Sequence, residues 1–197
     1  MLVFLLVFLG GFSVMSIELL GGRILAPYFG SSIYVWGSLI TVFMLALSIG
    51  YLLGGRLSLG NASHRRFGVL FLVAAVAVLP LLFGSDWLMD QVFDVIDDPR
   101  YGSLTASMIL FFLPTVALGM VSPYAVRLLV DHHEQSGHIA GKLYFASTLG
   151  SALGTLLTSF YFVLYFEVGQ ILVAIVTALV ACGLLSILTA KDETTTA

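Results

Sequence analysis

The stretch Val168–Ala190, VGQILVAIVTALVACGLLSILTA, contains no Asp, Glu, Lys or Arg. An α-helix rises 1.5 Å per residue, so about 20 mostly apolar residues cross the roughly 30 Å hydrocarbon core of a bilayer. This stretch is long enough to do so. Five more apolar runs of the same kind precede it: Leu2–Leu20, whose one charge is Glu18, and the uncharged Tyr34–Gly55, Phe67–Phe83, a run within Tyr101–Val126, and Leu143–Phe166. The sequence therefore predicts an all-α integral membrane bundle of six transmembrane helices over residues 1–190, with 191–197 as a short tail.

Composition points the same way. The chain is 59% hydrophobic and 10% charged, against about 45–50% and about 25% in a soluble domain. Its mean hydropathy is +1.07. A net charge of −3 gives no footing for nucleic acid. The single cysteine, Cys182, sits in an apolar run; it forms no internal disulfide and no CxxC motif, and reads as a small buried hydrophobe. Met1–Ile17 lacks the positive start and the small-residue cleavage site of a signal peptide and reads as the first span.

Arg and Lys set the expected orientation. Arg56, Arg65, Arg66, Arg127, Lys142 and Lys191 fall on one side of the predicted membrane, and Arg23 and Arg100 on the other. Six against two places both termini in the cytoplasm. Tyr28, Tyr34, Trp36, Trp87, Tyr101 and Tyr165 gather near the outer interface, where amphipathic rings settle.

Small residues recur every fourth position, as Ala46, Gly50 and Gly54 in the second span and Ala146, Gly150, Gly154 and Thr158 in the fifth. Such faces let helix backbones approach closely in lipid. The halves also resemble each other in order: Pro27-Tyr28 against Pro123-Tyr124, Gly50-x-x-x-Gly54 against Gly150-x-x-x-Gly154, and Phe67-Gly68 against Val168-Gly169. Three spans per unit is odd, so the second unit enters from the opposite side. This predicts an inverted three-plus-three repeat, with units of about 1–85 and 101–190, as in half of a major facilitator.

Candidate site residues are sparse. Glu18 and Arg23 flank Gly21-Gly22 near the outer end of the first span. They read as an interfacial pair that fixes helix depth or, alternatively, as a proton, cation or substrate site, because ionisable groups at membrane depth usually face a bundle interior. Asp86, Asp90, Asp94 and Asp97 recur at helical spacing among apolar residues. That pattern predicts an amphipathic helix on the outer surface: a solvated acidic face, or a funnel that concentrates cations. Arg56 and Arg127 end the second and fourth spans, as snorkelling anchors or as a cytoplasmic gate or docking point. Pro114, Gly119 and Pro123 interrupt the fourth span and predict a kink. The cluster Asp131, His132, His133, Glu134 and His138 matches no zinc spacing, and no metal is expected. A nucleotide-binding P-loop, HExxH and GxSxG are all lacking, so no cofactor and no enzymatic activity are expected.

Three stretches carry a family resemblance: Glu18-LLGGRILAPYFGSSIYVWG-Ser38, Gly119-MVSPYAV-Arg127, and Ala140-GKLYFASTLGSALG-Thr155. They are similar to the membrane region of bacterial fused major-facilitator/spermidine-synthase proteins. The resemblance runs through most of the chain. In that family the membrane region is joined to a Rossmann-like domain that binds an S-adenosyl donor and makes polyamines. The catalytic aspartates and Gly-rich loop of that domain have no counterpart in these residues. Gly54-Gly55-Arg56 and Arg65-Arg66 follow the facilitator signature, but its usual Asp is missing. The resemblance implies a bacterial inner-membrane module for transport of a small amine or polyamine. It would work as a homodimer or with another membrane protein. The alternative is a non-transport subunit that anchors a soluble synthase-like protein or belongs to a larger complex.

Overall fold

The computed structural model describes residues 1–60, 62–130 and 136–195, with side chains through residue 190. Every regular element among them is helical: α1 (Leu2–Phe29), α2 (Ile33–Leu57), α3 (His64–Val95), α4 (Pro99–Gly119), α5 (Val121–Leu129), α6 (Ser136–Leu157), a π segment (Thr158–Phe162), α7 (Val163–Tyr165) and α8 (Val168–Thr195). Six of the resulting rods are long and apolar enough to cross a membrane, with α4–α5 and α6–α7 each counting as one. Alternating passage puts Arg56, Arg65, Arg66, Arg127, the start of α1 and the end of α8 at one end, and Arg23 and Arg100 at the other.

One element runs differently from the sequence reading. The acidic segment is no separate surface helix. It continues α3 to Val95, because Leu81, Met89 and Val92 carry the buried stripe past Phe83. A helix of 32 residues is about 48 Å long, so it overruns the hydrocarbon core. Its last turns dock on the end of α1, where Phe93 meets Tyr28 and Phe29 at ring-centroid distances of 6.0 and 5.8 Å. The fourth span is interrupted, as its Gly and Pro residues predict, and the break falls at Met120, between Gly119 and Pro123.

Packing is dominated by three pairings, α1 with α6, α2 with α4, and α3 with α8, and glycine permits each. A methyl group added at Gly54 would lie 2.5 Å from the Met120 carbonyl oxygen, and one at Gly50 2.5 Å from that of Val116. Methyl groups at Gly150 and Gly154 would collide with the Phe8 and Phe12 carbonyls, and one at Gly68 would lie 2.5 Å from the Gly183 carbonyl. Backbones this close gain dispersion contacts, which stand in for the hydrophobic effect between helices in lipid.

The glycine pairs of α2 and α6 thus play matching parts, each on the first helix of the other half. The other two correspondences do not match in their surroundings. Tyr28 is half-buried at the Arg23 end and donates to Asp90 Oδ1 at 2.8 Å. Tyr124 is fully buried, stacks on Phe67 with centroids 5.9 Å apart, and accepts from the Ser63 amide at 3.1 Å. Gly68 is clamped on α8, whereas Gly169 has open space around its Cα.

Candidate functional site

Along α1, residues spaced three and four apart share a face. Gly11, Val14 and Met15 line a small cavity of about 60 Å³, closed by Leu47 and Tyr51 of α2, Gly119 of α4, Ser122 of α5, and Ser147 and Ser151 of α6. Glu18 stands one turn further along this face. It is half-buried, and no other described residue forms a hydrogen bond or ion pair with it.

The cavity is polar for a membrane interior. Ser151 donates to the Gly11 carbonyl at 3.2 Å, and Ser122 donates to Ser147 at 3.4 Å. Gly11 has a structural reason to be there, since a side chain would strike the Ser147 carbonyl. The hydroxyls of Ser122, Ser147, Ser151 and Tyr51 were not singled out from the sequence. The available signal was their position beside the glycines of a close-packed face, where polar side chains are kept out of lipid.

The flanking helices leave this face open. Of the six spans α6–α7 is the least buried and also the least hydropathic. Gly141, Tyr144, Phe145, Thr148 and Ala152 of α6 are exposed, as are Met44, Leu45, Ser48, Tyr51 and Leu52 of α2. Two unpartnered walls therefore stand on either side of a polar floor.

The remaining predicted residues lie elsewhere. Arg23 does not pair with Glu18. Five residues carry it off that face, and its guanidinium donates to the Val163 carbonyl of α7 at 2.9 Å. Asp86, Asp90 and Asp94 are exposed along the α3 extension, and Asp90 accepts the Tyr28 hydroxyl. Arg56 is exposed in the last turn of α2, and Arg127 in that of α5, where it donates to the Val130 carbonyl at 3.4 Å. Asp131, His132, His133 and Glu134 lie outside the described residues, and His138 is exposed at the start of α6. Among the described residues no three His, Cys, Asp or Glu side chains converge to hold a metal.

Outside the helices, Asp98 caps α4. It accepts the Arg100 amide at 2.9 Å and pairs with the Arg100 guanidinium at 2.8 Å. The hydrogen bond from that side chain holds its carboxyl below the usual carboxylate range. No protein-family model, no curated protein and no solved structure matches the chain.

Proposed function

We propose that the chain is a half-facilitator that carries a small amine or polyamine across a bacterial inner membrane, with both termini cytoplasmic and a second copy completing the pathway. The observation that carries this reading is Glu18, an unpaired carboxylate on the α1 face that continues into the serine-lined cavity. An ionisable group inside a span marks a binding or relay site by default, and a carboxylate with hydroxyl neighbours suits an ammonium group. The cavity alone, about 60 Å³, holds little more than a water or two, whereas ligand pockets run to roughly 300–1,000 Å³. The missing wall belongs to a partner seated against α2 and α6. A second copy supplies it with its own exposed α2 and α6 faces, while the matched glycine faces stay packed inside each chain; the pairing of α1 with α6 and of α2 with α4 supports an inverted repeat. The exposed carboxylates of Asp86, Asp90 and Asp94 then draw cations to one mouth, and Arg56 and Arg127 line the other.

Uptake of labelled putrescine and spermidine into proteoliposomes tests the reading. Saturable uptake that falls at least tenfold in Glu18→Gln supports it; equal uptake with and without the protein overturns it. The open α6 face also favours a second reading, a non-transport subunit that holds a different membrane protein or a soluble synthase-like protein. The mass of the particle extracted in mild detergent separates the two: a dimer of this chain supports the transporter, and a stoichiometric foreign chain supports the subunit.

A further inference from the structure

On the opposite side of α1 from the α2 interface lies a second and larger cavity. It measures about 620 Å³ and is walled by Leu9 and Phe12 of α1, Phe162 and Phe166 around the π segment, and Ala174 and Ala178 of α8. Local sequence and one contact with α1 produce it together. Thr158 is anchored to Ser16 at 2.9 Å, and Thr155 and Ser159 turn their hydroxyls back onto the carbonyls of Ser151 and Thr155. Such back-bonding loosens the helical ladder, and the π turn that follows swings Phe162 and Phe166 aside. Small alanines on α8 leave the space empty.

We propose that this groove holds one acyl chain of a bilayer phospholipid, with the lipid's phosphodiester on Arg23. Three observations argue for that occupant. The groove opens sideways between membrane-spanning helices, past the exposed Phe166 and Ala174, so hydrocarbon and not water meets its mouth. Its depth fits one leaflet. From Gln170 at the start of α8 to Ala178 the helix rises about 12 Å, against about 15 Å for half of the hydrocarbon core. Its charged end fits a headgroup. Arg23 is exposed and held at 2.9 Å from the Val163 carbonyl, one residue from the groove wall at Phe162, and a guanidinium with further N–H groups can take a phosphate. An apolar side pocket beneath a cation is complementary to a phospholipid and to neither a free phosphate nor an uncharged hydrocarbon.

The test reconstitutes the full chain into dioleoylphosphatidylcholine vesicles containing dioleoylglycerol, extracts it in mild detergent and counts retained lipids by native mass spectrometry. The expected result is one phosphatidylcholine per chain, in preference to dioleoylglycerol. Ala174→Trp fills the groove and abolishes retention. Ala178→Leu, a smaller plug, reduces it and serves if the tryptophan variant does not fold. Arg23→Gln leaves the groove intact but removes the charged donor; it weakens phosphatidylcholine retention roughly tenfold and erases the preference over dioleoylglycerol. The proposal is overturned by a wild-type chain that retains no phospholipid or retains dioleoylglycerol equally, or by folded plugged variants that keep their lipid.

Discussion

Gly150 and Gly141 lie on different sides of α6 and should answer the same substitution in opposite ways. At Gly150 the obstacle is the Phe8 carbonyl, a backbone atom that cannot rotate aside. Gly150→Ala should therefore separate α1 from α6 and cost about 2 kcal/mol or more, in the range of an overpacked core. Gly141 has nothing near its Cα, so Gly141→Ala should be neutral or gain up to about 1 kcal/mol through helix propensity. Thermal unfolding in detergent measures both. Ser107 gives a contrasting case. Its hydroxyl is fully buried in α4 without a hydrogen-bond partner, and such a group costs free energy to bury. Ser107→Ala should leave stability unchanged or raise it by about 1 kcal/mol; a clear loss would show that the hydroxyl has a partner. At Asp98 the lowered carboxyl pKa sets a sign. The cap contributes fully above the ordinary carboxylate range and is lost only as pH falls through the lowered value. Protection of the Arg100 amide, its exchange relative to the intrinsic rate at each pH, should fall there, and Asp98→Asn should remove that pH dependence.

At the scale of the element, the α3 extension is the sharpest departure from the sequence reading. Gly84, Ser85 and Asp86 resemble a helix end, and the acidic residues beyond them resemble a separate amphipathic piece. Yet Val78, Leu81, Met89 and Val92 keep one apolar stripe in step across that point, and tertiary contact with α1 extends the helix. The periodicity was legible; the contact with Phe29 was not, because nothing local to residues 86–95 specifies it. The break in α4–α5 was legible from Gly119 and Pro123, since those residue types weaken the helix on their own. The π segment was not, because it depends on Thr158 meeting Ser16 from another helix. Phe93→Ala should undock the extension while leaving the membrane rods intact. Hydrogen exchange over residues 86–95 should then rise toward that of a free helix end, with α3 before Phe83 unchanged. Unaltered protection would place the stabilising contacts elsewhere.

For the whole molecule, hydrophobic run lengths made the six spans legible, since backbone hydrogen bonds must close within each span when no water is present to satisfy them. The serine-lined face was not legible, because Ser122, Ser147 and Ser151 meet Gly11 and Tyr51 only after four helices pack. Orientation is the remaining global variable, and the six-to-two distribution of Arg and Lys makes it testable. In a Cys182→Ser background, Leu59→Cys and Gln91→Cys place single thiols at exposed positions at opposite ends of the bundle. With both termini cytoplasmic, a membrane-impermeant maleimide should label the residue 91 thiol in intact spheroplasts and the residue 59 thiol only after permeabilisation. The reverse pattern would turn the molecule over. Asp86, Asp90 and Asp94 would then face the cytoplasm, and the proposed route would have its acidic mouth on that side. Labelling of both thiols in intact cells would break the six-span topology itself, because an even number of crossings between residues 59 and 91 requires either that α3 does not cross the membrane or that it crosses twice.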